Sequence, residues 1–176
     1  EPELRIIFES DANPKTDLGT PSGTFDASFA KWPTPSTTPL RLYFSVKDTD
    51  GTLSTTPPTE MVSSSQWKHD PDQGQRTNLA PDGDIWALLP KYDYKPLRDG
   101  YAVAFVSEPL TEDTVMIGTA SADLYLRSTA DDADLQVSIT EVRADGKEVY
   151  VQSGWLRASQ RKLAPTATEL NPEHTH

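Results

Sequence analysis

Apolar and polar residues alternate in short runs along most of this chain. Leu4, Ile6 and Phe8 alternate with Arg5 and Ile7, which predicts a strand with one face turned to a core. Phe25, Ala27 and Phe29 repeat the period. Trp32-Pro33 is expected to stop that strand, because proline cannot donate to a ladder. Leu40, Leu42, Phe44 and Val46 predict a third strand, followed by the turn signal Asp48-Thr-Asp-Gly51. Weaker alternation predicts strands over residues 61–67, 101–106 and 114–119. Leu124 and Leu126 share a face in a further strand, and so do Leu135, Val137 and Ile139. Val149 and Val151 are expected on one face of the last strand with Ser153. Ala144-Asp145-Gly146 joins that strand to its predecessor as a hairpin. No period of three to four residues is sustained over three turns, and no segment repeats. Many short strands with Gly, Pro and Asp turns predict a sandwich, jelly roll or barrel.

The segments between these strands are long and polar. Residues 10–24 and 68–91 are rich in Pro, Gly and Asp, and long loops on a sandwich are either functional or mobile. Pro90-Lys-Tyr-Asp-Tyr-Lys-Pro96 sets two aromatics between prolines, which predicts packing over an edge or against a partner. Residues 163–176 lack alternation and read as an irregular tail, leaving residues 1–162 as one β-sandwich domain. A chain of 176 residues suits that reading, and at this length roughly 70% of the extended-chain surface can be buried.

Composition removes several classes of function. The net charge is −11, which argues against nucleic acid and against an anionic membrane surface, since both demand Lys and Arg. The acidity reads as a solvated, soluble surface. No run approaches the ~20 apolar residues of a helical membrane span, and no charged-then-apolar signal opens the chain. It opens on Glu1 rather than Met, which reads as a start set by cloning or processing. There is no cysteine, so disulfides and thiolate chemistry are absent and the compartment stays unknown.

Catalytic chemistry is hard to find. Acyl transfer on an α/β-hydrolase needs Gly-x-Ser-x-Gly, because the strained elbow exposes the serine hydroxyl. Gly19-Thr-Pro-Ser22-Gly23 has the wrong spacing and reads as a turn. Of the three histidines, His69 starts a polar loop and reads as an exposed loop residue rather than a general base. His174-Thr-His176 offers two ligands at a chain end, too few for a metal site. Asp131-Asp132-Ala-Asp134 and Asp48-Thr-Asp50-Gly51 have the oxygen density of calcium loops without the spacing or distal Glu of an EF-hand. Both read as turns, since Asp bonds its own backbone. Glu112-Asp113 gives no separation from which glycoside chemistry could be argued. Trp32, Trp67, Trp86 and Trp155 are candidate sugar platforms. A buried tryptophan is the commoner case in a small β core, so at least two of them are expected inside. No catalytic residue, metal ligand or cofactor site is therefore assigned.

One ordered set of motifs remains. Phe105-Val-Ser-Glu-Pro-Leu110, Ile117-Gly-Thr-Ala120, Asp132-Ala-Asp134, Val142-Arg-Ala-Asp145-Gly146 and Gly154-Trp155-Leu156-Arg157-Ala-Ser159 follow in sequence. In order and spacing they resemble the C-terminal non-catalytic domain of the X-prolyl dipeptidyl-peptidase and cocaine-esterase group of serine hydrolases. Weaker similarity covers residues 23–33, 40–44 and 50–54. Gln160 departs from the pattern where relatives often carry His. The resemblance implies a galactose-binding-like jelly-roll β-sandwich, packed on an upstream α/β-hydrolase domain that holds the triad. It implies fold-supporting roles for Trp155, Leu156 and Arg157, with Asp134 and Asp145 shaping turns and Arg157 pairing with a buried carboxylate. It also implies further strands beyond His176. Without them the sandwich is expected to lack its last strands and to carry an open edge, through which a homo-oligomer could form. The alternative reading is a free-standing carbohydrate-binding or protein-interaction module.

Overall fold

The computed structural model describes residues 4–9, 23–47, 50–59, 64–74, 77–88 and 90–161. These residues form seven strands and one 3-10 turn, with no α-helix among them. The chain divides into two compact units, residues 1–119 and 120–176.

In the first unit, β1 (Leu4–Glu9) pairs antiparallel with β2 (Gly23–Phe29). The register sets Leu4 opposite Phe29, Ile6 opposite Ala27 and Phe8 opposite Phe25. Opposed residues share a face, so one side of this ribbon is wholly apolar. The Phe8 and Phe25 rings stack with centroids 4.7 Å apart. On the other face Arg5 Nε donates to Asp26 Oδ2 at 2.8 Å. The alternation that predicted β1 is therefore the alternation of its two faces. β2 ends at Phe29, and a cis Trp32–Pro33 peptide follows within a turn.

A second sheet of this unit joins β3 (Tyr43–Lys47), β4 (Asp50–Ser54) and the short β5 (Phe105–Ser107) in that order. β3 and β4 are antiparallel, while β5 runs parallel to β4 with Phe105 beside Gly51. Gly51 is buried because the Phe105 ring lies over it. A Cβ at residue 51 would overlap Cδ1 and Cε1 of that ring and stand 2.8 Å from the Ser45 carbonyl oxygen. Phe44 completes the contact, its ring tilted 53° to Phe105 with centroids 4.6 Å apart. Phe105 opens one of the motifs quoted above, and its partner is a glycine more than fifty residues upstream.

The second unit is built on the ribbon of β6 (Asp134–Val142) and β7 (Glu148–Arg157). Leu135, Val137 and Ile139 share a face, opposite Leu156, Gly154 and Gln152. The other face sets a polar ladder among Trp155, Tyr150 and Val142. Gln136 Nε2 donates to Ser138 Oγ at 3.2 Å, the Ser138 and Ser153 hydroxyls bond at 2.8 Å, and Thr140 Oγ1 donates to Glu148 Oε1 at 2.7 Å. The register slips between Ile139 and Thr140, and Val151 is the extra residue. Because of this bulge, Val149 lies opposite Glu141 while Ser153 lies opposite Ser138. Val149 and Ser153 therefore occupy opposite faces, contrary to the sequence expectation. An inserted residue inverts the parity of every position beyond it.

Other expectations also fail. Residues 114–119 and 122–126 are irregular, the segment 101–106 contributes only the start of β5, and residues 64–67 are not in a strand. Residues 60–63 and the tail 163–176 lie outside the described residues. Alternation alone does not make a strand, which also needs a hydrogen-bonding neighbour. No tryptophan is buried: Trp32, Trp67, Trp86 and Trp155 are all exposed. Trp32 sits in a bend, Trp86 in a turn, Trp67 in an irregular stretch and Trp155 on the β6–β7 ribbon. Among the described residues Val149, 8% exposed, is the one buried hydrophobic side chain.

The described parts of the loop, residues 68–74, 77–88 and 90–91, carry several local turns. Asp70 accepts from the Asp72 N–H and Asp84 from the Trp86 N–H, as the turn chemistry of Asp predicts. The two-tyrosine segment packs on this loop: Tyr92 bridges Leu79, and Ala80 N–H donates to the Lys91 carbonyl at 2.9 Å.

Candidate functional site

The family motifs of the second unit converge on the β6–β7 ribbon. Asp132 and Asp134 precede and open β6, while Arg157 ends β7 and Ser159 follows in the 3-10 turn Ala158–Gln160. The two motifs have mirrored spacing, so an antiparallel register aligns both pairs at once. Arg157 Nε donates to Asp134 Oδ1 at 2.7 Å and Nη2 to Oδ2 at 2.9 Å, a bidentate pair. Ser159 N–H donates to Asp132 Oδ1 at 3.0 Å and its hydroxyl to Oδ2 at 2.7 Å. Ala133 N–H adds a third bond to Asp132 at 2.9 Å. Ala158 N–H donates to the Ala133 carbonyl at 2.8 Å and closes the clamp.

The electrostatics follow from these bonds. The Ser159 hydroxyl holds the Asp132 carboxyl below the usual Asp range, with the Ala133 and Ser159 amides and the Arg157 charge acting in the same sense. Arg157 does the same for Asp134, first by hydrogen bonding and then by charge. The guanidinium is raised in return, by its bonds to Asp134 and by the neighbouring carboxylates. The sequence expectation of a buried partner for Arg157 is corrected here. Asp134 is its partner, but both side chains are more than half exposed. Water screens such a pair, so its contribution is positional rather than large.

At the other end of the ribbon, Asp145 Oδ1 accepts from Lys147 N–H at 3.1 Å, and Gly146 N–H donates to the Arg143 carbonyl at 2.9 Å. Gly146 has φ +79°, the left-handed region that glycine enters without a Cβ penalty. Between the ends lie Gly154, Trp155 and Leu156. Trp155 stands opposite Gln136 and is 68% exposed, and Leu156 stands opposite Leu135 and is 49% exposed. Nothing lies within 4 Å of the position a Cβ on Gly154 would take.

This arrangement is a structural clamp with an apolar strand between its ends. Asp132 accepts three hydrogen bonds and Ser159 gives its proton to that carboxylate, and among the described residues no imidazole stands beside them to act as a triad base. His69 is exposed in an irregular segment of the other unit, and His174 and His176 lie outside the described residues. No cluster of three or more His, Cys, Asp or Glu side chains among the described residues has the geometry to hold a metal ion. Ser159 escaped sequence reasoning, although its spacing from Arg157 mirrors that of Asp132 from Asp134. The contact of Gly51 with Phe105 escaped sequence reasoning, which read Asp48-Thr-Asp-Gly51 as a turn; Asp50 and Gly51 instead open β4, because the strand pairing with β3 and β5 takes them in.

No curated protein and no solved structure matches the chain. A family model, the X-Pro dipeptidyl-peptidase C-terminal non-catalytic domain, matches residues 4–176. That family is a β-sandwich, in keeping with an all-β chain, and forms the C-terminal domain of a larger hydrolase. The clamp, the hairpin turn and the exposed strand between them thus belong to a member of the X-Pro dipeptidyl-peptidase C-terminal non-catalytic domain family.

Proposed function

We propose that this chain is the non-catalytic domain of a serine hydrolase acting on ester or amide bonds, and that it stabilises the catalytic domain and shapes the rim of its pocket. The observation that carries this reading is the exposed motif strand of β7. A side chain as large as Trp155 or Leu156 gains free energy only when it leaves water. Trp155, on the Gln136 face, is 68% exposed, and Leu156, on the Leu135 face, is 49% exposed. Gly154 presents bare backbone on the same face as Leu156, and a glycine in a strand suits a close approach by another backbone. The clamp holds β6 and β7 in register, so this surface is presented rigidly. Asp132, Asp134, Arg157, Asp145 and Gly146 act in this reading as positioning residues for the ribbon, not as catalytic ones.

The test uses the full-length protein. Labelling by a serine-directed fluorophosphonate, together with hydrolysis of X-Pro anilides or small esters, is expected. Absence of both removes the serine-hydrolase reading. Leu156→Asp changes an exposed side chain and leaves the ribbon's own bonds intact. It is expected to lower the melting midpoint of the whole enzyme by several degrees and to reduce turnover, as loss of an interface contact does. An unchanged midpoint and unchanged turnover would mean that this face meets no hydrolase domain. A second copy of the chain is the rival occupant, and a change in mass by light scattering on Leu156→Asp would identify it.

A further inference from the structure

The first unit holds an open pocket of about 390 Å³. Its apolar lining is Phe8 of β1, Phe29 of β2, Val115 and Ile117. Its polar lining is a row of hydroxyl residues along the chain, Thr34, Ser36, Thr37 and Thr38. This volume falls at the lower end of the range for small-molecule sites, which combine apolar walls with a few placed polar groups. The row is set on a backbone punctuated by Pro33, Pro35 and Pro39, each of which fixes its own φ. Thr37 N–H donates to the Thr34 carbonyl at 3.1 Å, and the Thr34 and Thr37 hydroxyls bond each other. Thr34 is 5% exposed, so one residue of the row is buried. A hydroxyl carries one donor and two acceptor positions, so the Thr34–Thr37 pair still has capacity to spare.

The chemistry of the lining selects a class of ligand. No ionisable side chain lines the pocket. The chain as a whole carries −11, so an anion would meet repulsion with no cation to receive it. Four hydroxyls with no carboxylate or amide suit a neutral partner rich in hydroxyls. The two phenyl rings and two aliphatic side chains suit an apolar face on the same molecule. A pyranose combines the two, with hydroxyls around its edge and C–H bonds on its faces. We infer that this pocket binds a neutral pyranose, as a free monosaccharide or as the terminal residue of a glycan. The inference does not depend on the β6–β7 ribbon or on its docking.

Saturation-transfer NMR on the full-length protein, with a panel of methyl pyranosides, tests it. At least one member is expected to receive saturation, with a Kd in the millimolar range that suits a ligand of this size. The double variant Ser36→Ala/Thr38→Val removes two exposed hydroxyls without disturbing the Thr34–Thr37 bond, so the fold is retained. It is expected to weaken binding at least about fivefold, as the loss of one net hydrogen bond does. A glycan ending in the same sugar that binds more tightly than the methyl glycoside would identify the terminal residue as the natural form; equal affinity would identify the free sugar. Absence of transfer to every pyranoside overturns the proposal. So does transfer that the double variant leaves unchanged, which would move the site to an exposed tryptophan such as Trp155. Preferential binding of choline or of cyclohexane-sized apolar molecules, indifferent to the double variant, would make the pocket a cation or hydrocarbon site and equally overturn it.

Discussion

Three glycines of the motif regions do different work, and substitution separates them. Gly51 is required by space, since the Phe105 ring and the Ser45 carbonyl occupy the volume of a Cβ. Gly51→Ala is expected to cost about 1–3 kcal/mol by overpacking, read as a shift in the urea midpoint at constant m-value. Gly146 is required by backbone conformation alone: its φ is +79° and nothing lies within 4 Å of a Cβ there. Gly146→Ala is expected to cost about 1 kcal/mol in the same assay. Gly154 has neither demand within the described chain, so Gly154→Ala is expected to leave the domain's own stability within about 1 kcal/mol of the original. A large loss on Gly154→Ala would show a constraint from within the domain rather than from a partner. At this scale the sequence was partly legible. Asp145-Gly146 announces its turn, because turn chemistry is local. Gly51 reads as the end of a turn but lies in β4, because the reason for it is a ring on another strand.

At the scale of elements, the β6–β7 ribbon is held by a ladder of backbone bonds, a row of hydroxyls and the clamp at its open end. The clamp has a pH signature. Asp132 and Asp134 both titrate below the ordinary Asp value of about 3.9 when folded. Such groups bind fewer protons folded than unfolded. Their stabilisation is fully present above about pH 4 and is lost as the pH falls through the lower, folded values. Asp134→Asn should therefore lower the melting midpoint slightly at pH 7, and the gap from the original protein should close on acidification below about pH 4. A gap that stays constant down to pH 2 would show that Asp134 acts by packing rather than by charge. The ribbon is the element that the sequence reads best, since alternation and the hairpin turn agree there. Its bulge was not legible. Val149, Val151 and Ser153 keep a perfect period of two in sequence, and only the pairing with β6 shows that the period is broken.

For the whole molecule, charge and exposed apolar surface are the governing facts. A net charge of −11 on 176 residues repels itself, and the repulsion is greatest in the compact state. Raising the salt from about 0.02 M to about 0.5 M shortens the Debye length several-fold and is expected to raise the melting midpoint. A falling midpoint would mean that the exposed ion pairs, such as Arg5–Asp26 and Arg157–Asp134, outweigh the net repulsion. The exposed apolar side chains sort by unit. In the second unit Leu124, Tyr125, Val137 and Leu156 accompany Trp155, and in the first Ile85, Trp86 and Leu88 share a turn region. Scattered exposed hydrophobics need no explanation, but a strand that carries them in a family motif does.

The amino-acid sequence by itself determined the all-β class, the β1, β2 and β3 runs, the last hairpin and the family, because each rests on local period, local turn chemistry or motif order. Tertiary structure decided the rest. It decided which alternating runs found a hydrogen-bonding neighbour, so that residues 114–119 and 122–126 did not become strands. It decided that Trp155 faces outward, that Asp132 meets Ser159, and that a phenylalanine rests on a glycine more than fifty residues away. Burial and pairing depend on what arrives from elsewhere in the chain, and a one-dimensional pattern carries the demand for a partner without naming it.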